Sequence, residues 1–227
     1  MSTATFDDRD GFIWMNGSLM PWRDAKVHVL THALHYASCV FEGVRSYSGK
    51  IFKLQEHTDR LFFSAQTLDM KIPFAADVLN QAQVDVLKAN NITDGYLRPM
   101  AWRGSEQMGV TAQGAKINVA IACWVWPSYF TLEARLKGIR LQISQWRRPA
   151  PDTAPVHAKA AGLYMICTLS KHTAEPVSYT HLTLPTNAQA TKTRSCSTGE
   201  ASLPRRQART SFSSRTARYT HRRRMCS

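Results

Sequence analysis

The chain of 227 residues lacks long apolar runs and paired cysteines. Without an apolar run of about 20 residues, we expect no membrane-spanning helix. The five cysteines lie far apart and form no CxxC pair, which excludes a zinc-ribbon pattern or a disulfide framework and favours a reducing compartment. The start MSTATFDDRDGF is acidic and polar, unlike a secretory signal, so we expect a cytoplasmic protein.

Acidic residues are scarce in one part of the chain only. The net charge is +13, and residues 176–227 hold ten Lys and Arg residues with a single acid, Glu200, so nine of these charges lie there. The charge of residues 1–175 therefore does not indicate a nucleic-acid-binding domain. The alternative is an arginine-rich tail that contacts phosphates, but no aromatic interleaving or nucleic-acid motif precedes it. We expect neither a nucleic-acid nor a membrane partner.

Residues 1–175 combine hairpin and helix patterns, which predict an α+β fold. Asn16-Gly17 and Ser48-Gly49 each separate two strand-like segments, as in β-hairpins. Apolar residues at helical spacing predict helices at 54–70 and 77–91, the second ending in an Asn pair that suits a C-terminal cap. The remaining elements are predicted as strands at 95–104, 117–127 and 139–149 and a helix at 160–175.

Composition divides the chain into four parts. We predict a small N-terminal domain at 1–127, an interdomain segment at 128–135, and the start of a larger, truncated domain at 136–175. The third part is too short to be an independent domain without a metal or disulfides. Residues 176–227 lose apolar periodicity and fill with Ser, Thr and Arg. We interpret them as a non-native, disordered basic tail that is read in a shifted frame.

The stretch PVHAKAAGLYM places Lys159 among small and apolar residues, with Tyr164 five positions later. A lysine nucleophile reacts as a neutral amine close to a carbonyl group. Small neighbours would let the backbone approach a flat ring, and the tyrosine could reach a ring oxygen. Taken alone, the stretch is also typical of a surface lysine with a buried stem.

Four further motifs accompany this stretch in a fixed order: HALHYASCVFEGVR (32–45), EHTDRL (56–61), GYLRPMAW (95–102) and WVWPSYF (124–130). Together they strongly resemble the branched-chain amino acid aminotransferases, which are pyridoxal-phosphate enzymes of fold type IV. The resemblance covers nearly all of residues 10–175. It implies transfer of the amino group of Leu, Ile or Val to 2-oxoglutarate, and a homodimer or higher homo-oligomer.

The resemblance implies three residues that hold the cofactor, pyridoxal 5′-phosphate. Lys159 matches the lysine that forms the Schiff base and then acts as the general base. Arg60 matches the residue that grips the phosphate, for which a guanidinium fork serves better than an ammonium. Tyr164 matches the tyrosine that hydrogen-bonds the ring phenolate oxygen. Taken alone, Arg60 is typical of a solvated helix face and Tyr164 of a buried helix.

The resemblance also implies a set of substrate-binding residues. Tyr96 and Arg98 alternate on one predicted strand and share a face, and the family uses these positions to hold substrate carboxylates, the distal one of glutamate included. Aromatic residues that match the pocket for a branched side chain are Tyr36, Phe41, Trp126 and Tyr129. In the family, the position of Tyr36 reaches across from the partner subunit. Without the resemblance, core packing would explain these aromatic residues.

Other residues of these motifs have supporting roles. Glu42, Gly43 and Arg45 complete the FEGVR motif, to which we assign structural or supporting functions. His32 and His35 are three apart without an evident partner ligand, so we expect structural histidines and no metal.

The chain departs from the family after residue 175. The family needs an acid that protonates the pyridine nitrogen and a backbone cup with threonines around the phosphate. Residues 176–227 do not encode them, so we predict that the parent gene encodes a branched-chain aminotransferase while this chain is inactive. Alternatives are another fold-type IV enzyme (a D-amino acid transaminase, an amine transaminase or an aminodeoxychorismate lyase) and a non-catalytic fragment that only dimerises.

Overall fold

The computed structural model describes residues 5–126, 133, 136, 141–174 and 181–183. The chain divides into two compact units, residues 1–190 and 191–227, and all the described residues belong to the first. Most of the predicted interdomain segment and of the predicted tail lies outside the described residues. The domain boundaries therefore stay a prediction.

Runs of two or three strands are separated by helices in the first unit, as expected for the predicted α+β fold. Seven strands are β1 (Phe12–Met15), β2 (Ser18–Pro21), β3 (Cys39–Phe41), β4 (Val44–Tyr47), β5 (Lys50–Ile51), β6 (Gly95–Arg103) and β7 (Ile117–Trp124). The helices are α1 (His32–Tyr36), α2 (Leu54–Thr67), α3 (Ala76–Ala89) and α4 (Met165–Ala174). Two 3₁₀ turns occupy Trp22–Asp24 and Ala161–Tyr164. No helix in the described part of the chain is long and apolar enough to cross a membrane.

The seven strands form one antiparallel sheet in the order β2-β1-β7-β6-β4-β5. Strands β3 and β4 lie end to end along the same side of β6, with Phe41 opposite Met100 and Val44 opposite Leu97. Residues 42 and 43 therefore sit at the centre of the sheet, between two paired segments.

Both predicted hairpins are present, and their turns explain them. Asn16 and Gly17 have φ values of 49° and 107°, and Ser48 and Gly49 have 48° and 77°. Two successive positive φ values characterise the type I′ turn, whose twist matches that of the flanking strands. These two turns fix the pairing of β1 with β2 and of β4 with β5.

One face of the sheet is covered by α2 and α3. The fully buried side chains at this interface include Val44, Leu97, Val119 and Ile121 from the sheet and Leu61, Leu79 and Val86 from the helices. Helix α3 ends as the sequence predicts, with Asn91 at a positive φ of 54° immediately after the C-cap residue Asn90. This core holds β6 and α2 rigidly, and both elements carry predicted site residues.

Residues 141–174 and 181–183 add a second, two-stranded sheet and a helix. Strands β8 (Leu141–Ile143) and β9 (His181–Thr183) pair in parallel, and Ser144 Oγ on the β8 side contacts Ser170 Oγ of α4 at 2.5 Å. Residues 181–183, which belong to the predicted tail, pair with β8, and the disorder of the tail stays a prediction. The helix predicted at 160–175 begins instead with the 3₁₀ turn and becomes α-helical at Met165.

Candidate cofactor and substrate site

The backbone of Lys159 is fixed on both sides. Its amide donates to Ser64 Oγ of α2 at 2.9 Å, and its carbonyl accepts a hydrogen bond from the amide of Phe41 at 3.2 Å. The next residue, Ala160, forms a bridge with Val40 of β3. The lysine therefore projects from a segment that is held between the sheet and α2.

The side chain of Lys159 meets that of Tyr164. Lys159 Nζ lies 2.8 Å from Tyr164 Oη, because the 3₁₀ turn at Ala161–Tyr164 brings the tyrosine back toward the lysine. Lys159 is half-buried, whereas the Tyr164 side chain is partly exposed. The amine and the phenol thus form one polar pair. Two groups this close together can contact neighbouring atoms of a single ligand.

The small residues around Lys159 have a packing role. Ala158 and Ala160 are buried in the core, and a Cβ atom on Gly162 would lie 2.9 Å from the Cβ of Ala37. Larger side chains at these positions would push the lysine segment away from β3. The sequence alone attributes the small residues to close approach of a ring, and their contacts with the sheet and with Ala37 are a further reason.

Arg60 is held by a buried carboxylate. Glu42, whose side chain is 1% exposed, accepts from Arg60 Nε at 2.6 Å and from Arg60 Nη2 at 2.7 Å. His57 Nδ1 contacts the same carboxylate at 2.9 Å. Burial alone would raise the pKa of Glu42, but the hydrogen bonds from Arg60 and His57 outweigh it and hold that pKa below its ordinary value. The pKa of Arg60 is raised, mainly by its hydrogen bonds to Glu42.

A cavity of about 260 Å³ joins these groups. The polar side chains in its lining are Arg60, Arg148, His157, Lys159, Tyr164 and Cys167. A planar cofactor with an aldehyde, a phenolate oxygen and a phosphate needs one amine, one hydroxyl donor and fixed cations. The lining supplies each of these, so the residues fit pyridoxal 5′-phosphate.

Phe41 connects this cavity to the outer face of the sheet. Its ring centroid lies 4.9 Å from that of Tyr164 and 5.0 Å from Lys159 Nζ. The guanidinium carbon of Arg98 lies 4.7 Å from the same centroid. One aromatic ring therefore contacts two predicted cofactor residues, Lys159 and Tyr164, and the predicted substrate residue Arg98.

Tyr96 and Arg98 share the face of β6 that points away from α2 and α3. Arg98 Nη2 donates to Tyr96 Oη at 3.1 Å, while Arg98 Nε is buried without a hydrogen-bond partner. The Tyr96 ring packs 5.1 Å from Trp124 and 5.0 Å from Trp126, measured between centroids. Gly43 makes this packing possible, since a Cβ atom at that position would collide with Tyr96 Oη. The arrangement combines aromatic walls with one cation.

A second cavity, of about 560 Å³, opens beside Arg98. The chain start packs against it: Phe6 meets Trp124 edge-on at 5.4 Å, and Trp22 Nε1 donates to the Phe6 carbonyl at 2.7 Å. Arg23 reinforces this contact through Asp8 at 2.6 Å and Asp10 at 2.9 Å.

One predicted residue that the structure describes, Tyr36, does not reach the site within this chain. Tyr36 ends α1 with 47% of its surface exposed and stacks on His32 at 4.6 Å between centroids, with no described contact to either cavity. Tyr129 lies outside the described residues.

His32 is buried, with Ser38 Oγ 2.7 Å from its Nδ1 and the Gly109 carbonyl 3.2 Å from its Nε2. Among the described residues, no group of three His, Cys, Asp or Glu side chains could hold a metal.

Sequence reasoning missed Ser64 and Arg148. Ser64 lies four residues after Arg60, so the helical repeat of α2 places both on one face. That spacing was a usable signal, although only the fold shows that Ser64 meets Lys159. Arg148 lies eleven residues before Lys159 and enters the cavity through the loop between β8 and α4, which no periodicity indicates.

Comparison with known proteins gives consistent results. Residues 39–194 match the family described as amino-transferase class IV. Over 162 residues the chain is 46% identical to a branched-chain-amino-acid aminotransferase of Pseudomonas aeruginosa, covering 70% of this chain and 53% of that protein. It is 42% identical over 159 residues to the Escherichia coli protein of the same name, covering 68% and 52%. The chain therefore spans about half the length of the curated relatives it matches.

Solved structures give the same picture. The T.th. branched-chain amino acid aminotransferase with pyridoxamine 5′-phosphate superposes with a TM-score of 0.75 and 38% identity, covering 79% of this chain and 60% of that one. The Escherichia coli branched-chain amino acid aminotransferase gives a TM-score of 0.73 at 38% identity, with 77% and 59% coverage. These similarities confirm the predicted fold type.

Proposed function

This chain belongs to the class IV amino-transferase family, and we propose that its site serves branched-chain amino acid transamination. The amino group of Leu, Ile or Val would pass to pyridoxal 5′-phosphate and then to 2-oxoglutarate. The names of the relatives support this substrate class, and the aromatic walls around Arg98 suit it. We propose the activity for the enzyme of full family length.

The observation that carries the proposal is the 2.8 Å contact of Lys159 Nζ with Tyr164 Oη in a cavity that also contains two guanidinium groups. When bound, the cofactor supplies an electron sink for the pair left behind as the substrate Cα proton departs. Lys159 Nζ would hold the cofactor. It would then act as the general base that moves this proton between the substrate Cα and the C4′ atom of the cofactor. Tyr164 would donate a hydrogen bond from its hydroxyl group to the ring phenolate oxygen, and Arg60 would orient the phosphate.

Substrate recognition belongs to the outer face of the sheet. Phe41 and Tyr96 offer apolar ring surface to a branched side chain, and Trp124 and Trp126 extend it. Arg98 would pair with the distal carboxylate of glutamate or 2-oxoglutarate. Its buried Nε without a hydrogen-bond partner supports this role, because an unpaired buried N–H is costly unless a ligand satisfies it.

We also propose that the chain as it stands does not turn over. No carboxylate belongs to the described lining of the Lys159 cavity, whereas the reaction needs an acid at the pyridine nitrogen. The cavity could then hold the cofactor without giving it full reactivity. This separates binding from catalysis in the experiment below.

The test compares the 227-residue chain with a version whose reading frame is restored after residue 175. Both are incubated with leucine, D-alanine or a chiral amine, with 2-oxoglutarate as acceptor. We expect the restored enzyme to prefer leucine and the original chain to show no turnover. Preference for D-alanine or the amine would overturn the substrate class, and leucine turnover by the original chain would overturn its inactivity.

We further propose that the intact enzyme is a homodimer or a higher homo-oligomer. Helix α1 exposes Leu34 and Tyr36, and Val29 and Leu30 just before it are also exposed. An apolar surface of this kind suits burial against a second copy, which would bring Tyr36 to the partner's site. Light scattering on the restored enzyme should give at least twice the chain mass, and a monomer would contradict the proposal.

A further inference from the structure

The positive charge of Arg60 is largely offset before any ligand arrives. Glu42 lies within 2.6 Å and 2.7 Å of two of its nitrogens, so the pair is nearly neutral as a unit. Arg60 can still point its remaining N–H groups into the cavity, but it adds little net charge there. A phosphate ester near neutral pH carries roughly 1.5 to 2 negative charges. Such a group needs a further cation nearby.

Arg148 is placed to supply that charge. It lines the same cavity as Arg60 and Lys159, and its Nη2 donates to the carbonyl of Val156 at 2.7 Å. Val156 is buried, so this contact anchors the guanidinium to a fixed part of the loop. None of the ion pairs among the described residues includes Arg148, which leaves its charge and its other N–H groups available to an anion.

The backbone supports the same orientation. Arg148 directly precedes Pro149, which also lines the cavity, and a residue before proline is restricted to extended conformations. Arg148 and its neighbour Arg147 are both exposed, but only Arg148 belongs to the lining of the Lys159 cavity. The two adjacent arginines therefore differ in their position relative to the cavity, which makes Arg147 a matched control.

We propose that Arg148 is a second phosphate-recognising residue of the Lys159 cavity, which provides the net positive charge that the Arg60–Glu42 pair lacks. The proposal rests on the proposed function, because it assumes a phosphorylated cofactor in this cavity. A competing role is purely structural: Arg148 could merely clamp Val156, three residues before Lys159. The two roles differ in what they do to a ligand without phosphate.

The experiment uses the 227-residue chain and its Arg148→Gln and Arg147→Gln variants. Each is titrated with pyridoxal 5′-phosphate and, separately, with pyridoxal, and binding is followed by absorbance and by the mass added after borohydride reduction. Arg148→Gln should weaken binding of the phosphorylated ligand about tenfold, as the loss of one charge-assisted hydrogen bond predicts, and should change pyridoxal binding less than about twofold. Arg147→Gln should change neither.

Equal weakening of both ligands by Arg148→Gln would show a structural clamp and overturn the proposal, as would unchanged binding of the phosphorylated ligand. The pyridoxal arm also reports whether the variant keeps its fold. Inorganic phosphate, titrated by calorimetry, separates this inference from the proposed function. If phosphate binds and is weakened by Arg148→Gln while Lys159 takes no cofactor, cofactor binding by this chain fails and the phosphate site stands. A wild-type chain that binds neither phosphate nor cofactor would overturn the phosphate site, whereas the proposed function is decided by leucine turnover of the restored enzyme.

Discussion

Glu42→Gln removes one buried negative charge while it keeps the size of the side chain. The carboxylate accepts from Arg60 Nε at 2.6 Å, from Arg60 Nη2 at 2.7 Å and from His57 Nδ1 at 2.9 Å. A glutamine accepts at one oxygen only, and its amide NH₂ would face a donor N–H. We therefore expect at least one charge-assisted hydrogen bond to be lost and one donor to be left unpaired.

The size of the effect follows from burial. A hydrogen bond to a charged group contributes about 1.5–3 kcal/mol to stability. The Arg60 side chain is 52% exposed, so part of its guanidinium can turn to water and recover solvation. We expect the free energy of unfolding to fall by about 2 kcal/mol, which is well within the cost of breaking a buried ion pair. Urea unfolding, followed by circular dichroism, measures the difference as a shift in the midpoint.

Glu56→Gln is the matched control. Glu56 lies on α2, the helix that also carries Arg60, and pairs with Lys53 at 2.7 Å. Both side chains of this pair are more than half exposed. Surface pairs of this kind contribute little to stability. A Glu42→Gln midpoint that shifts no further than that of Glu56→Gln would refute the reasoning.

The pH dependence of the same variant tests the charge itself. The pKa of Glu42 is held below its ordinary value, so the unfolded chain takes up this proton more readily than the native protein. The stabilisation is complete above about pH 4.5 and is lost as the pH falls through the lowered native pKa. The stability difference between wild type and Glu42→Gln should therefore shrink on acidification below that value, and a constant difference would contradict the charge argument.

Two other substitutions probe the supports of the site. Ser64→Ala should lower the unfolding free energy by about 1–3 kcal/mol, because it leaves the Lys159 amide without its partner at 2.9 Å; an unchanged urea midpoint would show that this hydrogen bond adds no stability. Gly43→Ala should destabilise by about 1–3 kcal/mol, because the new methyl group displaces Tyr96. Gly109→Ala, which meets no neighbouring atom, should not, and equal urea midpoints for the two glycine variants would refute the packing argument.

The elements set by local chemistry were predictable from the sequence. The Asn16-Gly17 and Ser48-Gly49 turns specify their hairpins because few dipeptides accept two positive φ values. The two long helices follow from apolar periodicity. Helix α1 was not predicted, since five residues are too few for a periodic signal. The pairing of β3 with β6 was not predicted either, because it joins residues about sixty positions apart in the sequence.

The candidate site also combines residues that the sequence predicts with contacts that only the fold reveals. The motif resemblance predicted Lys159, Tyr164 and Arg60, and the structure lines one cavity with all three. It did not predict that Glu42 offsets Arg60 or that Ser64 anchors Lys159, because both contacts depend on how α2 packs beneath the sheet. Local spacing gives the face of a helix, whereas only tertiary packing shows what that face meets.

The central claim is that Lys159 is the residue that binds the cofactor aldehyde. The direct measurement is borohydride reduction of the 227-residue chain with pyridoxal 5′-phosphate, followed by protease digestion and mass spectrometry, with Lys159→Ala and Lys88→Ala beside it. The account predicts a cofactor label on the peptide that contains Lys159, unchanged in Lys88→Ala and absent in Lys159→Ala. A label on another lysine, or one that persists in Lys159→Ala, would contradict it.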